Sequence, residues 1–296
     1  MDRVENILWQ IKYLKNSNWL KARKLLLESI EEFSKDLNLK KALADLYLSK
    51  HLFKKAVHVY QQILMHDSDQ VMVRFHVGNC FLSLKEFKLA LNYYDQIKNV
   101  FPELLYNKSF ALSKLNRIDE AIIVLENLLS DQANIRSELP YIFLAELYYT
   151  RREFDKTIEN LKKAENAFGK KGSIFYLRGL TYFNLENWLK AYLEFESAAK
   201  LRVNTPHFLK NHGLACEKIG KTSQAIDLML MSIKKAPLDP GGYIELIKIY
   251  LEHDRIMEAF SIAQHAKKNI PFSITLSMLY DQILRDMGND FYLKRD

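Results

Sequence analysis

Residues 172–200 read GSIFYLRGLTYFNLENWLKAYLEFESAAK, and two small residues in this stretch decide the fold. Gly179 and Ala191 each stand among large apolar side chains. Tyr182 lies nine residues before Ala191, Trp188 three before and Phe195 four after, the spacing of one helical face. A small residue on each of two short helices lets their backbones approach closely, while bulky neighbours fill the space on either side. The stretch therefore predicts two antiparallel helices packed face to face at Gly179 and Ala191.

Outward from this pair the pattern recurs along the chain. Ala22, Ala56, Ala90, Ala121, Thr157, Ala191, Ala225 and Ala259 follow one another at intervals of 34, 34, 31, 36, 34, 34 and 34 residues. Twelve residues before each stands a second small column: Ala44, Gly78, Ser109, Ala145, Gly179 and Gly213, with Gln10 and Ile247 departing at the two ends. Nine before comes Tyr13, Tyr47, Phe81, Tyr148, Tyr182 and Tyr250, with Leu112 and Cys216 as exceptions. Pro206 and Pro240 fall where units open and Pro237 and Pro271 where they close, as helix ends accept proline. One helix pair cannot bury its apolar face alone, so the pairs must stack.

The period and its columns resemble the tetratricopeptide repeat, with small residues at the eighth and twentieth positions and an aromatic at the eleventh. The resemblance spans about residues 3–273 as eight units. It implies an all-α fold, a right-handed superhelical solenoid of antiparallel helix pairs. Lys108, Arg178 and His212 occupy the seventh position, where the family carries an apolar residue, so packing there is expected to depart from the family's. Residues 274–287 read as one more amphipathic helix, so 274–296 is expected to be a C-terminal capping helix and a loosely held tail beginning near Phe291. The polar connection 130–137 coincides with the irregular interval and is the expected site of a bend.

Composition sets outer bounds. Hydrophobic residues make up 48% and charged residues 27% of 296, ample for a core and unlike a disordered chain. The formal charge of +7 comes largely from doublets such as Lys40-Lys41, Lys54-Lys55, Lys162-Lys163 and Lys234-Lys235, many at expected helix ends where cations complement the dipole. Cys80 and Cys216 are the only cysteines, which excludes a disulfide framework and favours a reducing compartment. No signal-peptide run opens the sequence and no apolar stretch is long enough for a transmembrane span, so a cytoplasmic location is expected.

Chemistry-bearing motifs are absent. There is no phosphate-cradling glycine loop and no HExxH. His207 and His212 are five apart and do not share a helical face, so no metal site is expected. Asp67-Ser68-Asp69 lacks the glycine and distal glutamate of a calcium loop. The reading is of a protein without a cofactor or catalytic centre.

What the resemblance implies about function concerns the inner groove, lined in that family by defined positions of each first helix. Carried onto this sequence they give Phe75 and Asn79, then Tyr106, Asn107 and Phe110, then Phe143 and Tyr149, then Tyr176 and Phe183, and Asn211. Seven aromatic rings, even partly exposed, would offer roughly 400 Å² of apolar surface. This predicts a scaffold that binds a peptide or helix of a protein partner, with the asparagines bonding its backbone. Some of the rings could instead be consumed in packing between units. The Lys, Asn and Arg set that grips the acidic tail of heat-shock chaperones is not supplied by any three successive units: beside Lys41 stand Asp45, His76 and Glu103. The alternative reading is polyanion binding, RNA or other nucleic acid, by a basic surface.

Overall fold

The computed structural model describes residues 3–130 and 135–293, with side chains through Met287. The described residues form seventeen α-helices and no strand. They fall into two compact units, residues 1–140 and 141–296.

The first unit holds four antiparallel pairs. They are α1 (Arg3–Ser17) with α2 (Trp19–Glu32), α3 (Leu37–Ser49) with α4 (Phe53–His66), α5 (Val71–Ser83) with α6 (Phe87–Asp95), and α7 (Pro102–Lys114) with α8 (Ile118–Ser130). The second unit repeats the plan with α9 (Leu139–Thr150), whose first two residues belong to the first unit, and α10 (Phe154–Phe168), α11 (Gly172–Asn184) and α12 (Trp188–Lys200), α13 (Pro206–Lys218) and α14 (Thr222–Lys235), and α15 (Pro240–Glu252) and α16 (Ile256–Asn269). A last helix, α17, runs Ile274–Leu293. It is longer than the sequence suggested, so 291–293 of the expected tail are helical, while 294–296 lie outside the described residues. Leu276 and Ile283 of α17 join the core of the last pair with Ala259, Ala263 and Ala266. The expected bend falls partly on 131–134, which also lie outside the described residues.

The small columns do what their chemistry requires. Every member of the Ala22-to-Ala259 column, Thr157 included, is fully buried. A methyl added at Gly78 would lie 2.3 Å from Cε1 of Tyr94, and one at Gly179 would lie 2.6 Å from Cδ1 of Phe195. The second-helix ring therefore rests directly on the first-helix backbone. Pro102, Pro206 and Pro240 each open a helix, where their missing N–H costs nothing.

The turn inside seven of the eight pairs has one geometry. Five residues before the buried small column, His51, Lys85, Asn116, Arg152, Glu186, Gly220 and Asp254 all take a left-handed φ between 56 and 78°. The next backbone N–H then donates back to the eleventh-position carbonyl, as from Asn187 to Tyr182 at 2.9 Å and from Lys221 to Cys216 at 2.9 Å. This is the helix-ending motif that normally takes glycine. Only Gly220 supplies one; the other six carry a Cβ into the left-handed region. Glu186 is exposed and has no ion pair among the described residues, so Glu186→Gly should raise stability by about 0.5–1 kcal/mol in urea unfolding. Gly220→Ala should lose a comparable amount. Equal and opposite signs at one structural position are the diagnostic.

The polar seventh positions depart from an apolar interface in a consistent way. Each finds a carboxylate on a neighbouring second helix. Lys108 Nζ lies 2.5 Å from Asp95 of α6, and His212 Nε2 lies 3.1 Å from Glu196 of α12. Arg178 is held between two acids. Its Nη1 donates to Glu165 of α10 at 2.7 Å, and its Nε lies 2.9 Å from Glu194 of α12, an ion-pair contact outside hydrogen-bond alignment. The guanidinium also covers the ring of Phe175, 4.9 Å from its centre.

Candidate functional site

In the first unit, four of the residues named from the sequence converge. Phe75 and Asn79 of α5 and Tyr106 and Asn107 of α7 line one cleft of about 410 Å³. Helical spacing explains the convergence: Phe75 and Asn79 are one turn apart on α5, and the adjacent α7 presents Tyr106 and Asn107 beside them.

The asparagines are already engaged within the protein. Asn79 Oδ1 accepts from Tyr94 Oη at 2.7 Å and from Asn107 Nδ2 at 2.9 Å. Those two donors fix the Asn79 amide, so its oxygen is used by the fold and its N–H₂ is the end left to present. Asn107 keeps its oxygen and one N–H. The buried Tyr94 hydroxyl is pushed upward in pKa by burial, with the bond to Asn107's network pulling the other way, so it remains a neutral donor. These amides are thus rungs between neighbouring pairs as well as groups a ligand could reach.

The rings differ in exposure. Phe75 is 7% exposed and packs against Phe101 with centres 4.9 Å apart and against Tyr94, so it forms the floor of the cleft rather than an open wall. Tyr106 and Phe110 are half-buried. Phe110 is not part of the cleft lining, and Lys114 Nζ sits 5.0 Å from its ring centre. The opposite wall comes from Leu128, Ile135 and Leu139, with Glu103 and Arg136 at the edge. Sequence reasoning missed that wall. Its only trace was the 36-residue interval, which signals extra chain at that place but not where its side chains go.

In the second unit Phe143, Tyr149, Tyr176, Phe183 and Asn211 are all half-buried. Here too amides bridge successive pairs. Asn184 Nδ2 donates to Tyr149 Oη at 2.6 Å, and Asn211 Nδ2 donates to Tyr176 Oη at 2.9 Å. Tyr176 leans on Phe195 and Phe208, and Phe183 meets Trp188 edge-on at 4.8 Å. Much of each ring is therefore spent on packing, and the remaining faces form a shallower aromatic surface. Burial raises the hydroxyl pKa of both Tyr149 and Tyr176, while the asparagine bonds oppose the rise.

The cysteines and His212 are buried in the core. The two cysteines are free and fully buried, with their thiols pushed up by burial to about 11 for Cys80 and about 12 for Cys216, which makes both poor nucleophiles. His212 is 2% exposed among Tyr192, Phe195 and Phe208. Burial lowers its pKa against the pull of Glu196, so it is neutral at physiological pH. Among the described residues no three acid, histidine or cysteine side chains are grouped to hold a metal. No described helix is long and apolar enough to cross a membrane.

Comparison with known proteins agrees with this architecture. No family model matches the chain. It is 22% identical over 271 residues to the TPR repeat-containing protein MJ1428 of Methanocaldococcus jannaschii, covering 76% of this chain and 45% of that protein, so it spans less than half of that relative's length. Among solved structures, a chain of the APC/C hetero-tetramer Cut9–Hcn1 matches 96% of this chain and 57% of its own, with a TM-score of 0.61 at 16% identity. The C-terminal part of a TPR repeat-containing protein from Cytophaga hutchinsonii matches 80% of this chain and 97% of its own, with a TM-score of 0.62 at 16% identity. The fold is that of the tetratricopeptide repeat.

Proposed function

We propose that this chain, a solenoid of tetratricopeptide-type helix pairs, is a protein-interaction scaffold. In this reading the first helices of the N-terminal unit hold a peptide or helical segment of a protein partner. The observation that carries it is the cleft of about 410 Å³ at which Phe75, Tyr106, Asn79 and Asn107 converge. Its size falls within the range of ligand sites, and an aromatic floor with a few directed amides is the usual composition of such a site. Asn79 offers donors while Asn107 offers both a donor and an acceptor, the pairing that one backbone amide of a bound segment needs. The half-buried rings of Tyr149, Tyr176 and Phe183 extend the same kind of surface on the second unit. The likeness to a chain of a hetero-tetramer supports a scaffold role.

The charge at this cleft is balanced, Glu103 against Arg136, so it suits a protein segment better than a polyanion. Two buried free thiols suit the reducing cytoplasm. The test is Tyr106→Glu, which places a charge on the cleft wall at a half-buried position. Partners captured from native lysate by the wild type should be identified, purified and titrated against both proteins. Their affinity should fall at least about tenfold in the variant, as expected for an unpaired charge set into an apolar site. Unchanged affinity in a variant with a native helical spectrum and melting temperature would reject the cleft as the binding site.

A further inference from the structure

A second cleft in the first unit has a basic rim over an apolar floor. It lies between α2 and α4, over α3, and encloses about 440 Å³. Leu27, Ile30, Leu43 and Val59 form an apolar floor. The rim is Lys40, Lys54, Lys55 and His58, and no carboxylate lines it. Lys40, Lys54 and Lys55 have no ion-pair partner among the described residues. Lys55 Nζ lies 5.9 Å from the ring centre of Tyr47, whose hydroxyl accepts from Arg23 Nε at 3.1 Å, which adds another cation beside the cleft.

The repeats provide internal controls. Lys54, Lys55 and His58 stand two and one residues before and two after the buried Ala56. At the same places four other pairs carry acids, Asp119 and Glu120, Asp155 and Glu159, Asp227, and Glu258, while the first, third and sixth carry Lys21 and Lys24, Lys88, and Lys190 with no acid. In the fourth and eighth pairs a neighbouring cation is neutralised by those acids, Arg117 with Glu120 at 2.6 Å and Arg255 with Glu258 at 2.9 Å. The second pair is the one with a basic residue at all three places, and no carboxylate lines the cleft beside them. Like charges collected at one rim repel one another, an arrangement that costs stability and favours an anionic occupant.

We propose that this cleft binds a short acidic segment of a protein partner. An aliphatic or aromatic side chain of that segment fills the recess, and its carboxylates meet the ammonium groups of Lys40, Lys54 and Lys55. The apolar floor decides between occupants. A bilayer is met by apolar side chains that protrude, whereas these lie at the bottom of a recess beneath a charged rim. A nucleic-acid backbone brings phosphates but no apolar group for the floor. An acidic peptide with an apolar anchor satisfies both halves of the cleft. The site shares no residue with the cleft of Phe75 and Tyr106, so the two proposals stand or fall separately.

The test titrates the full chain with a fluorescent Glu/Asp-rich peptide carrying a central Leu-Leu pair. Binding should weaken at least about tenfold in Lys54→Glu/Lys55→Glu. It should also weaken several-fold between about 50 and about 200 mM salt, because the rim is exposed. A peptide with alanines in place of the leucines should bind more weakly than the parent. Both lysines are exposed and the substitution relieves like-charge repulsion, so a melting temperature equal to or above the wild type's is expected and shows that the variant is folded. Absence of peptide binding at low salt, equal binding by the alanine peptide, or full binding by the charge-reversed variant overturns the proposal. Phosphatidylserine vesicles or single-stranded oligonucleotides that bind more tightly than the peptide, and lose binding in the variant, overturn it in favour of a polyanion surface.

Discussion

Arg178→Ala is expected to destabilise the second unit by about 3–5 kcal/mol, measured by urea unfolding near neutral pH. Removing the guanidinium leaves two carboxylates, Glu165 and Glu194, facing a gap whose side chains are only 24% and 19% exposed. Their partial exposure places the loss toward the lower part of that range. The deficit should depend on pH in a defined direction. Burial raises the pKa of Glu194 above the usual carboxylate value, the charge of Arg178 holds it down, and Glu165 pushes it up again. Without Arg178 the folded-state value rises further. A folded-state pKa above the unfolded one means that folding gains stability by taking up a proton as pH falls. The variant's deficit should therefore shrink between neutral and mildly acid solution, whereas loss of packing alone would be flat with pH. Arg178→Met restores the aliphatic stem over Phe175 but should recover only part of the loss. Adding Glu194→Leu and Glu165→Gln should recover most of it, because a buried ion cluster replaced by matched neutral groups is often no less stable.

That triad also shows how far the sequence could be read. The columns through Ala22 and Gly78 were legible because close helix approach permits few residue types, and the same few must recur at every pair. Arg178 was legible only as a misfit at an apolar position. Its partners were not, because Glu165 and Glu194 lie on different helices at different offsets from it, and no period ties them together. The left-handed turn column was hidden for the opposite reason. The geometry recurs at seven pairs, yet six of the seven residues are His, Lys, Asn, Arg, Glu and Asp, so identity carried almost no signal. At the candidate site, four of the residues named by position on first helices, Phe75, Asn79, Tyr106 and Asn107, line one cleft. Their state was not found. Phe75 proved to be floor, and the asparagines proved to be bonded to neighbouring helix pairs, since exposure and pairing depend on the facing helix rather than on the residue's own register. Ile135 and Arg136 escaped notice because an irregular connection has no period to extrapolate.

Phe195→Ala should be of similar severity, about 3–5 kcal/mol, and its value lies in what it does to a second substitution. Phe195 is fully buried, with Tyr176, Phe208 and His212 around it, and its edge rests on Gly179. In the wild type Gly179→Ala sets two effects against each other. Alanine favours the helix by about 1 kcal/mol. Its methyl, however, would sit 2.6 Å from both Cδ1 and Cε1 of a ring that has no free direction to move, and such overpacking costs about 1–3 kcal/mol. The single substitution should therefore be neutral to clearly destabilising. In the Phe195→Ala background the ring is gone and only the helix term remains. Gly179→Ala should then become stabilising, by about 1 kcal/mol together with whatever cavity the methyl fills. At Gly213 the facing atom is the flexible Cε of Met229, at 3.1 Å, so the same substitution should cost less there, limited mainly by the Ala225 carbonyl oxygen at 3.2 Å. A reversal of sign at Gly179 would establish that the glycine is there to seat the ring. If Gly179→Ala instead cost the same with and without Phe195, the small column would owe its composition to backbone contact alone.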